Sequence, residues 1–177
     1  AIEKCFKDAG FPEYLFKNLQ IPSKMVSGVI ENNKITGIAF TGSTLAGKAV
    51  AKKAGEFLKK IILELGGNDP YIILDDANID KAVKACIDGR ILNAGQSCIS
   101  AKRIIATRKI YHKIVEKIYK ALSEKIMGDP FDKVDIGPMV SIQARDEVHS
   151  QVCRSIKHGA VLELGGEIPK SIGAYYP

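Results

Sequence analysis

Three places in this 177-residue chain combine residue types that could do chemistry. The first is Cys98, in Asn93-Ala-Gly-Gln-Ser-Cys98, a polar, glycine-bearing loop that follows a helical segment. A lone cysteine is in general a small buried hydrophobe, and Cys5, Cys86 and Cys153 are expected in that role, Cys86 on an apolar stripe. Cys98 has different surroundings. At the reference thiol pKa of ~8.5 only a small fraction is thiolate at neutral pH, yet that fraction is strongly nucleophilic and a site can raise it. The second place is Glu64, in Leu63-Glu-Leu-Gly-Gly-Asn-Asp-Pro70, an acid within an apolar strand. Acids are seldom buried without a partner, so Glu64 is either bonded, or facing water in a cleft, or raised in pKa for general-base work. A thioester on Cys98 would need such a base to activate the water that releases the acid. The third is Phe40-Thr-Gly-Ser-Thr-Leu-Ala-Gly-Lys-Ala49, a turn between strand and helix whose N–H groups and helix dipole could face a phosphate. It nearly spells the G-x-x-x-x-G-K-[ST] loop, but Ala49 lacks the hydroxyl that would hold magnesium. A dinucleotide site and a mere tight connection both remain open for it.

Strands alternating with helices position these residues. Residues 16–20 read as a short strand, and Ser23 can cap a helix from 24 to about 30. Residues 34–41 read as a buried strand, 44–58 as a helix, 60–65 and 70–74 as strands on either side of Gly66-Gly67. Asp76 or Asn78 caps a helix whose apolar positions Ile79, Ala82, Val83, Cys86, Ile87 and Ile91 form one stripe. After the Cys98 loop come a strand at 103–107, a helix at 110–127 stopped by Gly128-Asp-Pro130, a helix capped by Ser141, and a strand at 161–164. The alternation predicts an α/β fold with parallel-type sheets covered by helices on both faces.

Composition narrows the function. Hydrophobic residues are 46% and charged residues 26%, the balance of a chain that buries a core. Apolar stretches fall short of the ~20 residues of a membrane span, and the charged opening residues do not form a secretory leader, so a cytoplasmic location without membrane partners is expected. The net charge of +6 permits nucleic-acid binding, but Lys81, Lys84, Lys113, Lys117 and Lys120 are scattered over helices as solvated faces, so no nucleic-acid partner is expected. Four cysteines without a C-x-x-C pair, and three histidines, predict neither a metal site nor a disulfide framework.

At these residues the chain resembles the aldehyde dehydrogenase superfamily. Phe40-Thr-Gly-Ser43, Leu63-Glu-Leu-Gly-Gly67 and Gly95-Gln-Ser-Cys98 stand in the family's order, and the 34-residue interval from Glu64 to Cys98 is the one the family keeps between base and nucleophile. Ala9-Gly-Phe-Pro12, Gly128-Asp-Pro130, Asp135-Ile-Gly-Pro138 and Gly173-Ala-Tyr-Tyr-Pro177 add to the likeness. The stretch Gly95-Gln-Ser-Cys-Ile-Ser-Ala-Lys-Arg103 is most similar to the succinate-semialdehyde dehydrogenase branch. The resemblance implies that Cys98 attacks the aldehyde carbon, that its own N–H helps hold the oxyanion, and that Glu64 activates water against the thioester. It also implies NAD or NADP along Thr41, Gly42, Ser43 and Gly47, with Ser43 near the pyrophosphate and Leu65 beside the nicotinamide.

Family members are more than twice this long, so the resemblance further implies an internal fragment. Residues 1–66 would be the C-terminal half of a Rossmann-like NAD(P)-binding domain, and 67–177 the N-terminal half of a catalytic domain. Sheet edges and apolar faces are then expected to lack their covering elements. Such a chain is expected to be weak or inactive alone, partnered by a complementing fragment or by copies of itself. The contrasting expectation is a non-catalytic remnant that folds, self-associates and binds nucleotide weakly or not at all.

Overall fold

Residues 1–170 and 173–177 are described by a computed structural model, in two units, Ala1–Leu65 and Gly66–Pro177. In the first unit, α1 (Ile2–Asp8) and α2 (Val26–Glu31) precede β1 (Gly37–Thr41), α3 (Thr44–Glu56) and β2 (Lys60–Glu64). β1 and β2 are parallel, with Gly37 opposite Lys60 and Thr41 opposite Glu64. Parallel neighbours need a crossover of a dozen or so residues, and α3 supplies it. It begins where the Ser43 hydroxyl accepts a bond from the Ala46 N–H at 3.2 Å, satisfying one of the first-turn donors that a helix leaves unpaired.

In the second unit, β3 (Pro70–Ile73), α4 (Ile79–Ile91) and β4 (Arg103–Ala106) repeat the parallel crossover, and α5 (Tyr111–Ser123) and α6 (Ile142–Lys157) follow. Asn78, rather than Asp76, caps α4 by accepting from the Lys81 N–H at 3.0 Å, and Ser141 caps α6 from the Ala144 N–H at 3.1 Å. The stripe expected on α4 forms the core: Val83, Cys86 and Ile87 are buried with Ile73, Ile110 and Ile114, and Ile79, Ala82 and Ile91 pack at its edge.

The α/β alternation and the parallel pairing are as expected; several details differ. Among the described residues no strand forms at 16–20 or 161–164, because neither segment has a ladder neighbour to take its N–H and C=O groups. Ser23 opens a short 3-10 turn without a side-chain cap, and α2 starts only at Val26. Helix α1 has too few apolar positions to be read from periodicity. Helix α5 stops at Ser123, not 127, because Asp135 accepts the Ile126 N–H at 3.0 Å and pairs with Lys125 at 2.9 Å, drawing the chain out of the helical path. The sheets are not covered on both faces: Ile62 in β2 is 64% exposed, and the register partners Ile72 and Ile105 of β3 and β4 are 66% and 47% exposed. No described helix is long and apolar enough to cross a membrane.

Candidate active site

The two halves of the predicted chemistry are built by two different local devices. In Ala1–Leu65 the device is the end of a parallel strand pair. Thr41 and Glu64 are register partners at the C-terminal ends of β1 and β2, and the Gly42 N–H closes the pair by donating to the Glu64 carbonyl at 3.0 Å. The Glu64 side chain is exposed, with no hydrogen bond or ion pair among the described residues. Of the three states open to it from sequence, the solvent-facing one is found within this unit, and its place in an apolar strand does not bury it.

From the same strand ends, α3 rises with Thr41 through Leu45 exposed. Ser43 uses an oxygen lone pair to cap the Ala46 N–H, which leaves its own proton free to donate outward. The N–H groups of Thr44 and Leu45 are first-turn donors with no intrahelical acceptor. Residues 41–49 hold no acidic side chain, and Lys48 is exposed. This donor set fits a phosphate of a dinucleotide: neutral N–H and O–H donors at the positive end of a helix. Gly47 contributes differently. It is buried under Leu65, and a Cβ there would lie 2.6 Å from Leu65 Cδ2, so the glycine lets Leu65 settle against α3.

In Gly66–Pro177 the device is the loop that carries Cys98. Asn93, Ala94 and Gly95 take left-handed conformations in succession, with φ of 53°, 53° and 74°, and this reverses the chain at the end of α4. Asn and Gly accept that region readily; Ala94 pays for it, on the order of 1 kcal/mol. Gly95 is favoured by its positive φ, and a Cβ there would also push aside the Arg90 guanidinium, which it would meet at 2.8 Å. Gln96 then ties the loop down at both ends, its Nε2 donating to the Asn93 carbonyl at 3.0 Å and its Oε1 accepting from the Val140 N–H at 2.8 Å. Lys102 donates to the carbonyls of Ser97 at 2.8 Å and Cys98 at 3.1 Å. Behind the loop Gly67 passes so close that a Cβ would lie 2.6 Å from the Cys98 carbonyl oxygen.

The clamped loop presents Cys98 to solvent while Ser100, two residues on, is buried with its hydroxyl unpartnered among the described residues. The Cys98 N–H makes no hydrogen bond among the described residues, which leaves a donor beside the thiol for a developing oxyanion. Arg103 is otherwise engaged: its Nε donates to the Asn68 carbonyl at 3.0 Å, joining β4 to the chain before β3. The other cysteines depart in part from expectation. Cys86 is buried, and burial pushes its thiol up from the ordinary range, but Cys5 and Cys153 are exposed. Both lie on short or late helices with no buried residue, so their apolar character finds no core to enter. Gln96 and Lys102 were not singled out from sequence. The available signal was their place beside Cys98 in one short motif, which nothing in residue type distinguishes from ordinary polar loop content. No cluster of three or more metal-ligating side chains occurs among the described residues.

Comparison with known proteins agrees with the resemblance read from sequence. The aldehyde dehydrogenase family model matches residues 1–177. The NAD(P)+ succinate semialdehyde dehydrogenase Sad of Escherichia coli strain K12 is 43% identical over 99% of this chain and 38% of its own length. The NADP(+) succinate-semialdehyde dehydrogenase 1 of Mycobacterium ulcerans is 41% identical over 96% of this chain and 37% of its own. Among solved structures, the succinic semialdehyde dehydrogenase of Streptococcus pyogenes in complex with NADP+ superposes with a TM-score of 0.93 at 38% identity, over 98% of this chain and 38% of that one. The NAD+ complex of an aldehyde dehydrogenase from Bacillus cereus gives a TM-score of 0.92 at 31% identity, over 98% and 36%. The chain thus spans somewhat more than a third of the length of these relatives.

Proposed function

We propose that this chain, which belongs to the aldehyde dehydrogenase family, carries the nucleophile and the base for NAD(P)-dependent oxidation of an aldehyde to its carboxylic acid. Succinic semialdehyde is the substrate the relatives' names suggest. The observation that carries the reading is the Cys98 loop: an exposed thiol with a free N–H beside it, on a backbone held from three directions by Gln96, Lys102 and the close passage of Gly67. Residues 1–66 are read as the C-terminal half of the NAD(P)-binding domain, and 67–177 as the N-terminal half of the catalytic domain.

Cys98 Sγ, as thiolate, attacks the aldehyde carbon and forms a thiohemiacetal whose oxyanion accepts from the Cys98 N–H. When bound, the nicotinamide cofactor supplies the hydride acceptor that lets this adduct become a thioester. Glu64 takes a proton from water, the hydroxide attacks the thioester carbon, and the acid leaves as Cys98 thiolate is restored. Ser43 and the first-turn N–H groups of α3 would hold the pyrophosphate of NAD or NADP, with Thr41, Gly42 and Gly47 shaping the turn and Leu65 bordering the nicotinamide. The uncovered faces marked by Ile62, Ile72 and Ile105 favour a chain that works with further covering structure, from a complementing fragment or from other copies of itself.

The test is a hybrid in which this chain replaces the matching segment of the Escherichia coli relative. Cofactor reduction with succinic semialdehyde, lost on Cys98→Ala, supports the reading. A hybrid that turns over equally well with Cys98→Ala refutes it. Failure of the hybrid to bind NAD(P), with the fold intact, favours the non-catalytic alternative.

A further inference from the structure

Outside the candidate active site, a second thiol has company. Cys153 and His149 stand one turn apart on α6, and Cys153 Sγ lies 3.5 Å from His149 Nε2. The other ring nitrogen, Nδ1, is 3.1 Å from the Tyr176 hydroxyl, and that hydroxyl is 3.1 Å from the Gly166 carbonyl. The proton positions follow from what each group can do. A carbonyl only accepts, so the single Tyr176 proton goes to Gly166. Tyr176 must then accept from His149, which places the imidazole proton on Nδ1. Nε2 is left as a lone pair, and it faces the Cys153 thiol. Burial, and secondarily the nearby Cys153, push the Tyr176 phenol up from its ordinary value, which keeps it protonated and in its donor role.

We propose that Cys153 is a site of thiol–disulfide exchange with small-molecule disulfides, with His149 as its base and Tyr176 as the positioning residue that fixes the base's tautomer. The arrangement is that of an activated nucleophile: thiol and base within hydrogen-bond reach, and the base oriented by a third group. Cys153 is exposed, as attack on a disulfide requires. Nε2 takes the thiol proton as Cys153 Sγ bonds to one sulfur of the disulfide; the S–S bond breaks, and the departing thiolate takes the proton back from the imidazolium. One mixed disulfide and one free thiol result, with no other oxidant. The cluster lies wholly within Gly66–Pro177 and does not depend on the dehydrogenase reading.

Cys5 is the internal standard, an exposed thiol without a side-chain partner among the described residues. The 177-residue chain is exposed to oxidised glutathione, and mixed-disulfide formation at each cysteine is followed by peptide mass spectrometry. Cys153 is expected to react at least about threefold faster than Cys5, because His149 Nε2 stands within reach to take the thiol proton as the disulfide is attacked, and Cys5 has no such base among the described residues. His149→Gln, which suits a helix as well as histidine does, is expected to bring Cys153 to the Cys5 rate. Nitrogen-15 spectra are expected to show His149 protonated at Nδ1, and Tyr176→Phe to return it to the Nε2–H form. Equal rates at Cys5 and Cys153, an unchanged Cys153 rate in His149→Gln, or an Nε2–H imidazole in the parent chain would each overturn the proposal.

Discussion

The adjacent glycines 66 and 67 should respond oppositely to the same added methyl group. At Gly66 a Cβ meets nothing within 4 Å, while at Gly67 it meets the Cys98 carbonyl oxygen at 2.6 Å. Neither glycine has a positive φ, so backbone strain does not enter. Gly66→Ala should therefore be neutral or stabilise by about 0.4–1 kcal/mol, because alanine has less freedom to lose from the unfolded chain. Gly67→Ala gains the same entropic term but needs about an ångström more room against backbone, which cannot rotate away as a side-chain end can. Overpacking of this kind costs about 1–3 kcal/mol, so the net is a loss of up to about 2.6 kcal/mol. The relief must come from the Cys98 loop, at the carbonyl that Lys102 also holds, so the thiol itself moves. Urea denaturation of both variants gives the stability difference. Cofactor reduction by the corresponding hybrids gives the functional one, for which a displacement near an ångström costs about a hundredfold. Equal midpoints and equal turnover for Gly66→Ala and Gly67→Ala would refute the close approach of Gly67 to Cys98.

Glu64→Gln in the same hybrid should spare thioester formation and slow its release, so that a single burst of cofactor reduction is followed by a steady state slower by about a hundredfold or more, read by rapid mixing. Ile114→Ala, at one of the most buried side chains of the second unit, should cost about 2–5 kcal/mol in urea denaturation. The Asp135 carboxyl is held below the usual carboxylate range, first by the Ile126 N–H and then by Lys125. A depressed carboxylate stabilises above its unfolded pKa of about 4 and loses that contribution as pH falls through its lower folded value. Asp135→Asn should accordingly lower the melting temperature at neutral pH, and thermal scans of parent and variant should converge in acid below that range.

Legibility in the sequence followed how local each determinant is. The Ser141 cap, the choice of Asp76 or Asn78 as the cap of α4, and the α4 stripe are properties of a few consecutive residues, and they were readable; the Ser43 cap was not singled out. Residues 16–20 and 161–164 have strand-like composition, but a strand exists only with a neighbour, and neighbours are not encoded locally. The early end of α5 depends on Asp135, nine residues beyond Ile126, and was invisible to helical periodicity. At the site, residue types marked Cys98 and Glu64. The left-handed run Asn93-Ala94-Gly95 and the ties from Gln96 to Val140 and from Lys102 to Cys98 needed coordinates, because Ala94 is an unexpected residue for such a turn and Val140 is remote in sequence. Cys153 could not be told from Cys86 by type; only the packing around α4 and its lack around α6 separate them.

The central claim is that Cys98 forms the covalent intermediate and Glu64 releases it. Acid quenching of the Glu64→Gln hybrid during turnover of succinic semialdehyde, followed by peptide mass spectrometry, tests it most directly. The account predicts a succinyl group on Cys98 that accumulates beyond the level in the parent hybrid. An unmodified Cys98 during continued cofactor reduction, or the acyl group on another cysteine, would contradict it.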